Sequence, residues 1–199
     1  METIDSIIHF WFGNHNDPAL VVKEKAPLWW LKNPDVDQEI KQRFEPLIEA
    51  LTKGELDEWR TSPRGVLASV LLTDQFSRNM YRGQAKSFAF DTVARTMAKE
   101  AVANNIDQTL RPIERVFIYM PLEHSENRAD QQKSVGLFEQ LQQEVTEEHK
   151  TLFQGYVDFA CKHKEIIDRF NRFPHRNEIL GRVSTEEELA FLKQPGSSF

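Results

Sequence analysis

Apolar residues recur at helical spacing along almost the whole chain, and no stretch keeps up an apolar–polar alternation with period two. A strand with one solvated face needs that alternation, so the pattern confines the chain to helix packed on helix. Ile4, Ile7, Ile8 and Trp11 fall at i, i+3, i+4 and i+7, with Gly13 as the stop. Val36, Ile40, Phe44, Leu47, Ile48 and Leu51 mark a second helix, with Asp35 as its cap, Gln38 three residues on and Gly54 at its end. Pro46 inside that stripe predicts a kink or a break. Ser62-Pro63 reads as an N-cap followed by Pro at the first helical position.

The nearly apolar run from Val66 to Leu72 fits a buried strand by length, but its surroundings favour a central helix. Further helices are predicted over Phe88 to Val102, Pro112 to Met120 with a stop near Pro121, and Arg128 to Gln143. The longest runs from Glu147 to Phe170 with Thr146 as its cap. Leu152, Tyr156, Phe159, His163, Ile166, Ile167 and Phe170 form its stripe. A last short helix starts at Ser184 with Glu187 completing a capping box. The reading is all-α, about eight or nine helices, with short connectors making neighbours antiparallel. At 199 residues one domain is expected, with residues 193–199 as a tail.

Composition narrows the function classes. A net charge of −6 argues against a general nucleic-acid binder. No apolar run reaches the ~20 residues of a membrane span, and the acidic Glu2 with no basic region argues against a secretory leader, so a cytoplasmic location is expected. The single cysteine, Cys161, excludes an internal disulfide and any site needing two thiolates from one chain. It sits within a helix with only His163 near it, so it reads as structural. Phe10, Trp11, Phe12, Trp29 and Trp30 read as core, and His163 as a core histidine with one hydrogen-bond partner.

Three segments place charged groups beside apolar ones. In the first, Asp74 and Arg78 are four residues apart and share a helix face directly after the most apolar run. A carboxylate there needs a partner or its pKa rises. The pair is either a self-contained salt bridge or the support for Arg78, Asn79 and Arg82 facing a pocket. In the second, His124 and Glu126 supply a histidine and a carboxylate for acid–base chemistry, unless Ser125 or Glu126 simply caps the next helix. His-x-Glu also occurs in zinc deaminases, but the required Pro-Cys-x-x-Cys is absent. The third, Arg169 to Asn177, gathers Arg169, Arg172, His175 and Arg176 around Phe170, Phe173 and Pro174. Pro174 makes it a loop, and its Phe side chains would anchor the polar groups between them. The chain's 31 acidic residues could equally pair with these arginines.

The same residues carry a resemblance. Phe10-Trp11-Phe12-Gly13, the Trp29 region, Pro63-Arg64-Gly65, Asp74-Gln75-Phe76-Ser77-Arg78-Asn79, Arg82-Gly83, Pro121 to Glu126, Arg172 to Asn177 and Leu180-Gly181-Arg182 together resemble the bacterial family known as domain of unknown function 924. The family pattern has Pro at the position of Ser77 and Gly at that of Asn171. The resemblance implies an all-α fold similar to tetratricopeptide-like superhelices, and no established activity.

Two functions remain in view. In one, Arg78, Asn79, Arg82, Arg172, Arg176 and Asn177 hold an anionic small molecule while His124 or His175 moves a proton, oriented by Glu126 or Asp74. In the other, the chain is a helical scaffold for a protein or peptide. Neither a Gly-rich phosphate loop nor a nucleophile elbow is present, and no cofactor is implied. A metal on His124, Glu126, His163, His175 and Asp74 is disfavoured by the nearby arginines and by the lack of an i, i+4 histidine pair. Everything in the first reading depends on whether the three segments meet.

Overall fold

The computed structural model describes residues 2–198; Met1 and Phe199, the ends of the predicted start and tail, lie outside them. Among the described residues the chain is all-α with no strand. In order come α1 (Ile4–Phe12), α2 (Pro18–Trp30), α3 (Pro34–Thr52), α4 (Pro63–Val70), a π-helical segment (Leu71–Phe76), α5 (Ser77–Met80), α6 (Asp91–Ala103), α7 (Pro112–Glu123), α8 (Arg128–Glu144), α9 (Glu147–Phe170) and α10 (Glu186–Phe191). α4, the π segment and α5 run on as one rod. No helix among the described residues is long and apolar enough to cross a membrane.

Two rods form the centre. Every residue from Gly65 to Ser77 is buried, and so is every residue of α7 from Ile113 to Glu123. A helix apolar on all sides must be surrounded, and these two are: α1, α3 and α6 pack around the first, and α6, α8 and α9 around the second. Their junction is aromatic. Trp11, Phe12, Trp29, Phe76 and Phe117 stack with centroids 4.9–6.2 Å apart, and the Trp29 indole N–H donates to the Trp11 carbonyl at 3.0 Å. Each such ring removes enough apolar surface from water to contribute about 2–3 kcal/mol. Trp30, expected in this core, is 46% exposed; its ring lies parallel to that of Phe117 at the edge.

The central rod carries hydroxyls in a ladder. Ser69, Thr73 and Ser77 each donate to the carbonyl four residues back, at 2.8, 2.7 and 2.8 Å. This satisfies polar side chains in an apolar surround while loosening the α-helical bonds they share, and the π turn lies within it. The Ser77 N–H bonds back to Leu72, five residues away. Asn171, where the resemblance points to Gly, takes a left-handed conformation (φ 57°) as it ends α9, the conformation for which Gly is usual and Asn the next choice.

Several boundaries differ from expectation. α2 was not signalled by any apolar stripe, because only Val21 and Trp29 are buried in it. Asn33, not Asp35, caps α3: Pro34 takes the first helical position and the Asn33 side chain accepts from the Asp35 and Val36 N–H groups. α3 runs through Pro46, and α7 runs through Pro121 to Glu123. α6 starts at Asp91, three residues later than predicted. Asn127, rather than Ser125 or Glu126, caps α8. Thr146 precedes α9 without a side-chain capping bond. The last capping box is Thr185 with Glu188, one residue on from the predicted pair. Sequential packing is strongest from α6 to α9, with α8 and α9 forming a hairpin across two connecting residues; in the N-terminal half α1 packs on α4, and α3 on α5 and the π segment.

Gly65 shows why Pro-Arg-Gly opens the central rod. A Cβ there would sit 2.0 Å from the Trp59 carbonyl oxygen, a backbone atom that cannot swing aside. Gly65→Ala is expected to lower stability by about 3 kcal/mol or more, read as a fall in the urea midpoint.

Candidate functional site

Asp74 lies in the π segment and is fully buried. His124 ends α7, the other central rod. The Nδ1 of His124 lies 2.8 Å from Oδ1 of Asp74. Arg78 Nη1 approaches the same oxygen at 3.1 Å and donates to the Asp74 carbonyl at 2.8 Å, while the Gln75 amide donates to Oδ2 at 2.7 Å. Burial alone would raise the Asp74 pKa, but Arg78 and His124 outweigh it and hold the carboxyl well below its usual range. Arg78 stays charged because Asp74 and Asp91 outweigh its own burial. Burial lowers the His124 pKa and Arg78 lowers it further, against the pull of Asp74. His124 is therefore a neutral imidazole at pH 7. An ionised Asp74 can only accept, so the proton sits on Nδ1 and Nε2 carries a lone pair. No group among the described residues bonds Nε2, and the ring keeps 13% of its surface exposed.

The third segment reaches this pair. Phe173 is fully buried, as expected of an anchor, and Arg176 follows it. The Arg176 guanidinium lies between the Phe88 and Phe173 rings, 4.7 and 4.4 Å from their centroids, and Nη1 donates to the His124 carbonyl at 3.0 Å. Burial, with Arg78 nearby, pushes its pKa down to about 10. Its Nε has no partner among the described residues. Asp91, the first residue of α6, closes the group: its two oxygens accept from Arg78 at 2.9 and 3.1 Å, and one lies 3.6 Å from Arg176. His175 sits beside Phe173, and burial with Arg176 lowers its pKa to about 4.

Other expected site residues lie in separate pairs. Glu126 accepts from the Phe173 N–H at 2.8 Å and from both terminal nitrogens of Arg182, so it ties the loop to the start of α8. Arg172 grips Glu188 at 2.6 and 2.7 Å, and with the Thr185 N–H keeps that carboxyl down at about 2. Asn177 donates to Ser184 and Glu188. Asn79 and Arg82 both bind Asp37 of α3. The structure thus brings together Asp74, Arg78, His124, Arg176 and the neighbouring His175, and leaves Asn79, Arg82, Glu126, Arg172 and Asn177 on other partners. A cavity of about 320 Å³ between α1, α2 and α3, lined by His9, Phe10, Lys25, Leu28, Val36 and Arg43 among others, contains none of them.

Sequence reasoning missed Asp91, Phe88 and Glu123. The signal for Asp91 was an acidic residue at the first position of a helix, hidden because that helix was started at Phe88. Glu123 Oε1 lies 2.9 Å from Nδ1 of His163, which also faces the Phe159 carbonyl at 2.8 Å; both side chains are buried, so His163 is a core histidine, with more than the one partner expected. The His124 and His163 rings are 6.1 Å apart. Among the described residues no group of three or more His, Cys, Asp or Glu side chains is placed to hold a metal ion.

The lowered histidine pKa values fix the sign of a pH effect. Below the ordinary value of ~6.5 the unfolded chain takes up a proton that folded His175 refuses until about 4, and His124 shifts in the same direction. Stability is therefore full above pH 6.5 and is lost as pH falls toward 4, by up to about 3 kcal/mol for His175 alone. Urea unfolding from pH 7 to pH 4 is expected to show this slope, and His175→Asn to flatten it.

No functionally curated protein matches the chain. The solved structure of a protein of unknown function, ATU0120, from Agrobacterium tumefaciens is similar, with 35% sequence identity, a TM-score of 0.80 and 96% of each chain covered. The family profile described as bacterial protein of unknown function (DUF924) matches residues 7–196. The chain belongs to that family.

Proposed function

We propose that the chain binds an anionic small molecule at the surface where His124, Arg78 and Arg176 meet, with His124 as the group that moves a proton. The observation that carries this reading is the 2.8 Å contact between Asp74 Oδ1 and His124 Nδ1, which leaves Nε2 with a lone pair and no partner among the described residues, on a side chain that is 13% exposed. A histidine oriented by a buried carboxylate is a general base, because the carboxylate fixes the tautomer and steadies the imidazolium once a proton is taken. Arg78 and Arg176 supply guanidiniums for a carboxylate or phosphate beside it. Asp74 is a positioning residue here, since its burial keeps it from touching a ligand.

A second reading, the helical scaffold for a protein or peptide, draws its support from the pairs Arg172–Glu188, Arg182–Glu126 and Arg82–Asp37. These bind segments of the chain to one another and suit an architectural role for those residues. They do not account for the Asp74–His124 contact.

A thermal-shift screen of small carboxylates and phosphate esters tests the first reading. A ligand at 100 times its Kd is expected to stabilise the wild type by about 2.7 kcal/mol. Arg176→Met is expected to abolish that gain and Arg172→Ala to keep it, while lowering the starting melting temperature. Stabilisation by no compound, or an equal loss in both variants, contradicts the reading.

A further inference from the structure

The charges at the proposed site balance without a ligand. Arg78 and Arg176 face Asp74 and Asp91, two cations against two carboxylates. An added anion would then meet no net attraction unless one carboxylate left. The two carboxylates differ in their freedom to do so. Asp74 is fully buried in a rod surrounded by other helices, and His124, Arg78 and Gln75 all bind it. Asp91 is the first residue of α6, its side chain is 23% exposed, and among the described residues only the two arginines bind it. Its exposed edge already meets water, where hydration can replace the bonds it gives up.

The geometry points to Asp91 as a built-in competitor, its carboxylate filling the seat that a ligand's carboxylate takes at Arg78 and Arg176. This rests on the site proposed above and names its ligand class: a carboxylic acid whose reacting group reaches toward His124. The seat is suited to a planar carboxylate because Arg78 already grips one with both terminal nitrogens, at 2.9 and 3.1 Å, while Arg176 stands 3.6 Å from the second oxygen. It adjoins the Asp74–His124 pair because the same Arg78 nitrogen touches Asp74, and the same Arg176 nitrogen touches the His124 backbone carbonyl. Asp91 also gives the buried Arg176 a carboxylate partner that it shares with the half-buried Arg78, since a buried charge without a partner is costly.

The test uses the full chain, ¹⁵N-labelled on its histidines, titrated with acetate in a buffer free of other carboxylates, as wild type, Asp91→Ala and Asp91→Asn. Acetate affinity is expected to rise about tenfold or more in Asp91→Ala. Adding Arg176→Met to that variant is expected to remove the gain. Should Asp91→Ala fail to fold, Asp91→Asn, of nearly equal shape and no charge, decides in its place. Variants that fold and bind acetate no tighter than the wild type overturn the inference, as does a gain for inorganic phosphate with none for acetate. The histidine signals separate the two readings. Tight acetate that leaves the His124 resonances unmoved upholds the seat and removes the proton-transfer reading; a neutral, Nδ1-protonated His124 with no gain in acetate affinity overturns the seat alone.

Discussion

Two helices in this chain are buried on every side, and each turns one ionisable group toward the other. The contact between Asp74 in the π segment and His124 at the end of α7 is the polar link between them, and the polar interior is organised around it. A carboxylate with no exposed surface stays ionised only if its surroundings supply charge and donors, and Arg78, Gln75 and His124 do so together. Arg78 then needs its second terminal nitrogen satisfied, which brings in Asp91 and the start of α6. Each group at the centre is held by the need of its neighbour, so removing one leaves a buried charge without compensation.

The C-terminal segment completes this arrangement from outside. Its own small apolar cluster, Ile166, Ile167 and Phe173 with Phe170 and Phe191, fixes the loop after α9. Glu126 and Glu188 clamp that loop through Arg182 and Arg172. Arg176 is thereby delivered between Phe88 and Phe173 and onto the His124 carbonyl. The ion pairs that surround the site therefore divide into two kinds: those that hold the loop in place, and those that face the imidazole.

Much of the fold is legible in the sequence because apolar spacing is a strong signal wherever a helix buries one face. α1 and α3 follow their stripes closely, and the run from Val66 to Leu72 is the central helix its flanks suggest. α9 buries only His163, Ile166 and Ile167 of its expected stripe: its first half buries Phe153, Val157 and Ala160 instead, and Phe159 is 50% exposed. The signal fades where burial is sparse, as in α2, and where capping decides a boundary within a residue or two, as at Asn33 and Thr185. The π segment carries no periodic mark at all, since every residue in it is buried. Of the site, Asp74, Arg78, His124 and Arg176 stood out as polar residues embedded in apolar ones. Their convergence depends on contacts across 50 and 52 residues of chain, which local pattern does not encode. Glu126 and Arg172 stood out for the same reason and proved to be held by Arg182 and Glu188 instead. Asp91 fell inside the helix predicted from Phe88 and carried no mark of its own; only its two guanidinium partners set it apart.

The most direct measurement is the protonation state and tautomer of His124, read from its imidazole ¹⁵N shifts at pH 7 in the wild type. The account predicts a neutral ring with its proton on Nδ1, an unprotonated Nε2, and a change of tautomer population in Asp74→Asn. A ring protonated on Nε2, or a fully charged imidazolium at that pH, would contradict it.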